Sequence, residues 1–350
     1  MMTSSSNETQ FVESCVIIVL LCVSIGTAQT DTDFEKASAE FKAGNYVSAS
    51  ALFARVETNS AGTTQALLYQ AKCLVQLQDF SGGETVLRRY LSAHGNDSDA
   101  LYLLGFVLNR QNRPSDSLKV YTQAAAVALP TGDDLKIVGL DYVLLDDYPD
   151  AIRWLEKAVE RDSQNEDAWY YLGRAYYTKA RLADARNAFQ KVLAINPNSS
   201  KAENNLGLIL ESEGNLAGAL NAYRTAIAWQ ERSLHPNEQP FVNLGNLLME
   251  QGQTKEAITA LTKAVELEPN SAQCHMTLGM ALRQSAKFEG ARKELEKAAQ
   301  LAPDNANAHY QLGRLYKDIH ATALAQSEFS KTDELKARSA GSKIGMPKPE

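Results

Sequence analysis

A self-similarity at 34 residues restricts this chain to a row of small equivalent modules, because a fold built around one core has no reason to return a small residue at a fixed interval. The first column reads Ala37, Ala71, Gly105, Gly139, Gly173, Gly207, Gly245, Gly279 and Gly313, with every step 34 residues except Gly207 to Gly245, which is 38. Twelve residues after each stands a second small-residue column: Ala49, Gly83, Ser117, Ala151, Ala185, Ala219, Ala257, Ala291 and Ala325. Four residues further on, a third column is large and apolar: Phe53, Leu87, Tyr121, Leu155, Phe189, Tyr223, Leu261, Leu295 and Phe329. Two antiparallel helices approach closely where both carry Gly or Ala, and a large side chain fills the space beside the contact. The four extra residues of the long step fall between Trp229 and Pro240 and predict an added helical turn or a longer loop there.

Within a module the apolar spacing is helical, as in Trp169, Leu172, Gly173 and Tyr176 followed by Ala185, Phe189 and a terminating Pro197. Pro269 and Pro303 repeat that stop. These residues resemble the tetratricopeptide repeat pattern over residues 30–339, nine consecutive units. The resemblance implies an all-α, right-handed superhelical α-α solenoid, whose first helices line a concave groove that holds ligands. Such an array grows by stacking, so one elongated domain is expected. Lys331, Asp333, Glu334, Lys336 and Arg338 mark the last helix as a solvated cap, and residues 340–350, with Gly341, Gly345, Pro347 and Pro349, read as a disordered tail.

Hydrophobic residues make up 44% of the chain, enough for a folded body. The formal net charge is -7, so no positive field draws phosphate backbones, and nucleic acid is not expected as a partner. Near the start, Cys15 to Ile25 is a short apolar run ending in Gly26-Thr27-Ala28. Residues 1–28 read as a signal peptide cleaved after Ala28, although Glu8 and Glu13 stand where basic residues are usual. The run is too short to remain as a transmembrane anchor, so a periplasmic or secreted protein is expected. Cys15 and Cys22 leave with that segment. Cys73 and Cys274 stand six repeats apart, too far to join, and are expected as free packing thiols.

The inward-facing candidates lie on the first helices of the later units: Tyr170, Arg174 and Tyr177, then Asn204 and Asn205, then Asn243 and Asn246, then Met276 and Met280, then Gln311. Two residues before the small-column glycine stand Asn205, Asn243, Thr277 and Gln311, all able to hydrogen-bond. A carboxamide donates to a carbonyl and accepts from an amide, which suits an extended peptide backbone. Asn205 and Asn243 partly resemble the asparagine ladder in the repeat region of O-linked N-acetylglucosamine transferases. The earlier units depart from it with Glu35, Tyr69, Leu103, Ile137 and Tyr171, and the transferase domain is absent. The expected role is therefore a scaffold that binds a partner protein or extended peptide, a niche that similar proteins fill in bacterial envelope assemblies and secretion complexes. A glycan-binding module is the alternative, carried by the aromatic clusters at Trp169-Tyr170-Tyr171 and Tyr176-Tyr177.

No phosphate-cradling loop, nucleophile elbow or paired catalytic carboxylate emerges, so no enzyme activity and no cofactor are expected. Five histidines occur without a metal-binding spacing. His275 and His309 stand one repeat apart, where Trp169 and Leu135 occupy the same place, and are expected to pack between repeats.

Overall fold

A computed structural model describes residues 33–56, 61–231 and 233–344; the expected signal peptide, and residues 345–350 of the expected tail, lie outside them. Every regular element among these residues is a helix. The chain divides into two compact units, Met1–Ala175 and Tyr176–Glu350. The first contains α1 (residues 33–42), α2 (Tyr46–Phe53), α3 (Ala61–Gln76), α4 (Phe80–Ala93), α5 (Ser98–Arg110), α6 (Pro114–Ala125), α7 (Gly132–Leu144) and α8 (Tyr148–Arg161). Helix α9 (Glu166–Thr178) runs through the division. The second contains α10 (Leu182–Ile195), α11 (Ser200–Ser212), α12 (Leu216–Gln230), α13 (Gln239–Glu250), α14 (Thr254–Leu267), α15 (Ala272–Gln284), α16 (Phe288–Leu301), α17 (Ala306–Asp318) and α18 (Thr322–Ile344). Odd-numbered helices open a hairpin and even-numbered ones close it, which makes the nine modules of the periodic pattern and an all-α solenoid.

The three columns meet inside each hairpin. A Cβ built on Gly245 would lie 2.5 Å from Leu261 Cγ, on Gly207 2.5 Å from Tyr223 Cε1, and on Gly279 2.6 Å from Leu295 Cγ. The large residue thus sits on the glycine itself rather than beside the contact. Leu261, Tyr223 and Leu295 are fully buried, each worth roughly 1.5–3 kcal/mol of apolar transfer. The Ala of the second column, at 219, 257 and 291, is equally inaccessible.

A fourth column joins the two helices of every hairpin, and it is conformational. Gly44, Gln78, Asn112, Asp146, Ala180, Gly214, Gly252, Ala286 and His320 all have positive φ, between 55° and 80°. This left-handed residue reverses the chain in a tight turn, the habitual place for glycine, yet only three of the nine are glycine. Helix starts are held by local side chains: Asp79, Asp97, Asp147, Asn215, Ser271 and Asn305 accept from backbone N–H groups, and Thr131 with Asp134 forms a capping box.

The long step resolves as loop. Loops of four residues, 196–199, 268–271 and 302–305, join other hairpins of the second unit, whereas 231–238 joins α12 to α13. Buried Gln230 organises that loop, donating to Asn237 O at 2.7 Å and accepting from Asn237 N at 2.9 Å. At the end of the array α18 continues to Ile344, five residues past the expected boundary. Gly341 alone costs a helix about 1 kcal/mol and does not stop it, and the first proline beyond is Pro347. Cys73 and Cys274 are buried free thiols, and burial pushes the Cys73 thiol up to about 11. No helix among the described residues is long and apolar enough to cross a membrane.

Candidate functional site

Within the second unit the opening helices pack side by side, α11 on α13, α13 on α15 and α15 on α17. The closing helices α12, α14 and α16 pack chiefly on the opening helices to either side. The opening helices therefore form one continuous wall in this unit, taken as its inner face. Cross-wall contacts fix its order: Asn243 Nδ2 donates to Asn204 Oδ1 at 2.9 Å, Gln284 Nε2 to Met249 O at 3.4 Å, and Arg283 Nη1 to Asp318 Oδ2 at 2.7 Å.

These contacts place the expected site residues. Tyr170 and Arg174 belong to the first unit, and the other eight to the second. Tyr170 meets Tyr171 edge-on at 5.4 Å. Tyr177, half-buried, shares a 3.2 Å hydrogen bond with the Ser212 hydroxyl. Asn205, Asn246 and Met280 are half-buried on the wall. Asn204, Asn243, Met276 and Gln311, by contrast, are less than a tenth exposed, which corrects the expectation that they line an open groove.

The correction has a specific cause. Gln239 Nε2 donates to Asn243 Oδ1 at 2.9 Å, and Asn243 passes its own N–H on to Asn204, so an amide relay satisfies the α11–α13 junction from within. Thr277 turns its hydroxyl back onto Gln273 O and Cys274 O, both at 3.0 Å, and Asn205 donates to Lys201 O at 2.7 Å. Gln311 donates to Asn307 Oδ1 at 3.2 Å, while its buried Oε1 has no partner among the described residues. Met276 packs into the core with Leu295 and Leu312. The row of polar residues two places before the glycine is thus spent largely on its own helices and junctions.

What remains open on the wall is a strip of partly exposed Leu208, Met249 and Met280 flanked by Asn205, Asn246 and Arg283, with exposed Tyr310, Arg314 and Lys317 on α17. Arg314 and the α18 residue Lys336 stand 5.9 Å and 5.7 Å from the Tyr310 ring centre. This surface offers flexible apolar contact, amide hydrogen bonding and positive charge at one end. Among the described residues of the chain no group of His, Cys, Asp or Glu is placed to hold a metal ion.

The histidines serve the scaffold. His275 Nε2 meets Pro269 O at 2.9 Å and Nδ1 meets Glu294 Oε2 at 2.6 Å; His309 repeats this with Pro303 O at 3.0 Å and Glu328 Oε2 at 2.6 Å. In the first unit Trp169 Nε1 donates to Ser163 O at 3.0 Å from the same repeat position. A ring N–H that reaches the loop carbonyl is what His and Trp share in these three repeats. On the outer side, a cleft of about 710 Å³ lies between α12 and α14, floored by Phe241, Leu244 and Leu248 and bordered by the Arg224–Glu256 ion pair.

Sequence models of the tetratricopeptide repeat match residues 34–98, 70–133, 143–207, 201–233, 242–306 and 276–318. Over 102 residues the chain is 29% identical to tetratricopeptide repeat protein 7A of Homo sapiens, covering 29% of this chain and 11% of that protein. It thus spans about a tenth of the length of that curated relative. The crystal structure of a tetratricopeptide repeat protein from Parabacteroides merdae superposes with a TM-score of 0.59 at 18% identity, covering 72% of this chain and 98% of the other. The APC/C hetero-tetramer Cut9–Hcn1 superposes with a TM-score of 0.60 at 15% identity, covering 80% of this chain and 54% of the other.

Proposed function

Since this chain belongs to the tetratricopeptide repeat family, we propose that it is a non-catalytic scaffold that binds a partner protein, and that an extended segment of the partner lies along the inner wall of the second unit. One observation carries this reading: Leu208 and Met280 stay partly exposed one residue after the column glycine on α11 and α15, and Met249 does so one turn further along α13. Methionine adapts to varied apolar side chains, and Asn246 flanks the strip with an amide for a backbone, while Asn205 keeps its Oδ1 as an acceptor. Arg314 and Lys317 give the α17 end a preference for acidic groups. Tyr177 extends the strip at the α9 end. The apolar run and small residues of the first 28 positions support an exported protein, working in a bacterial envelope assembly or secretion complex.

A photoreactive residue placed at Asn246 and, separately, at the exposed outer position Lys293 tests the reading in the living source. Crosslinks to one protein from Asn246 and none from Lys293 are the expected result. Equal capture from both positions overturns it, as does capture from Lys293 alone. Met280→Glu should weaken the same capture at least tenfold, because it sets a charge in the apolar strip.

A further inference from the structure

The first unit carries its own inner cleft, of about 430 Å³, between α5 and α7 and under the loop 126–131. Tyr102, Leu103 and Phe106 of α5 and Ile137 of α7 make an apolar floor. The Tyr102 hydroxyl donates to Ala128 O at 2.6 Å and pins the loop at the mouth, where Leu129 stands 79% exposed. Three carboxylates border this floor: Asp99, Asp133 and Asp134. Asp133 is drawn below the usual carboxylate range by Lys136 and Asn165, which donate to it at 2.7 and 2.8 Å. Asp134 accepts from Thr131 N and Oγ1 at 2.8 and 2.6 Å, and Asp99 is exposed on the first turn of α5.

A helix dipole favours acids in a first turn, which accounts for each aspartate separately. It does not account for an apolar and aromatic floor between them with a single lining cation, Lys72. An acidic ligand would be repelled here, and a purely apolar one would bring nothing to the exposed Asp99. We propose that this cleft receives a basic side chain, arginine or lysine, carried on an apolar stretch of the partner. The aliphatic stem lies on Leu103 and Phe106, the cation faces Asp99 and Asp134 across the Tyr102 ring, and the flanking apolar residue covers Leu129. The inference rests on the reading that inner walls take partner segments, and it adds the charge of the segment that the first unit selects.

Immobilised octapeptides with a central Arg, Lys, Leu or Glu between leucines, each bearing a diazirine, supply the probes for the intact chain. After irradiation, peptide mapping locates the label. The Arg and Lys peptides should label α5, α7 and the 126–131 loop at least tenfold more than the Glu peptide. Asp99→Asn, an exposed change that leaves the packing intact, should remove most of that labelling, and Leu129→Ser should reduce it. Equal labelling by the Glu or Leu peptide, or labelling indifferent to Asp99→Asn, overturns the proposal. Labelling confined to α11, α13, α15 and α17 overturns it while leaving the proposed function standing; labelling of neither inner wall by any peptide removes both.

Discussion

The two units apply one packing rule to different residues at the same positions. In the second, glycine occupies the first column at Gly207, Gly245, Gly279 and Gly313, and the buried carboxamides of Asn204 and Asn243 bond to each other at 2.9 Å. In the first, Ala37 and Ala71 open that column and Gly105, Gly139 and Gly173 continue it. There too, the Asp141 carboxyl is fully buried on α7 with Asn109 Nδ2 donating to Oδ1 at 2.8 Å, and its Oδ2 has no partner among the described residues. The comparison teaches that the solenoid needs close helix contact and satisfied junctions, and that it tolerates small departures: alanine at two column positions of the first unit and, among the described residues, one orphaned buried oxygen in each unit, Asp141 Oδ2 and Gln311 Oε1. It also separates the inner walls, since Asp99, Asp133 and Asp134 border the first unit's cleft while Arg283, Arg314 and Lys317 border the second unit's strip.

The column rule gives the largest expected effect. Gly245→Leu forces Leu261 out of a site where even a Cβ lies 2.5 Å away, and should destabilise the second unit by on the order of 3 kcal/mol. Ala71→Gly in the first unit should cost only about 1 kcal/mol, mostly of helix propensity. Hydrogen exchange at α13 and α14 against α3 and α4 reads both; a Gly245→Leu chain as protected as the parent breaks the rule.

Asp141 comes next. Burial raises its pKa from 3.8 to about 6, moderated by the Ser117 and Asn109 side chains. A raised carboxyl pKa means that the unfolded chain loses its proton first. The stability that depends on this group is therefore highest below about pH 4, falls as pH rises through 6, and stays reduced above it. Asp141→Asn should add up to about 3 kcal/mol at pH 7.5 and almost nothing at pH 4, since a tenfold difference in proton affinity between the folded and unfolded chain is worth about 1.4 kcal/mol. Urea unfolding of the two proteins at both pH values checks it. A gain of the same size at pH 4 would mean that the effect is packing, and the contrast with the Asn204–Asn243 pair would fail.

The turns give the smallest effect. Ala286 in the second unit has φ of 55° and Asn112 in the first 59°. Alanine resists this conformation, whereas asparagine tolerates it through local hydrogen bonding. Ala286→Gly should stabilise by up to about 1 kcal/mol and Asn112→Gly by a few tenths. Melting temperatures that rise equally for the two changes would show that residue type has no bearing on these turns.

The architecture was legible because its causes are periodic. Nine small residues at one spacing, with their large partners sixteen positions on, predict nine hairpins before any coordinate is known, and the long step marks where the loop 231–238 enlarges. The turn column escaped the same reading because it conserves a backbone angle across Gly, Gln, Asn, Asp, Ala and His. The candidate site was half legible. Asn246 and Met280 were placed on the wall, but Asn243 and Met276, also on opening helices, rotate into the junctions, and a few tens of degrees about a helix axis decide between the two. The first unit's cleft leaves a sequence signal only in hindsight, as Asp99, Tyr102 and Phe106 on the inward spacing of α5.

From its one-dimensional pattern alone, this chain determines the hairpin, the number of hairpins and the residues on which each closes, because those contacts lie within one 34-residue period. Tertiary structure alone decides which polar groups satisfy one another across neighbouring hairpins and which are left for a partner. That choice depends on how each helix turns against the next, and such a rotation follows from the summed packing of several modules.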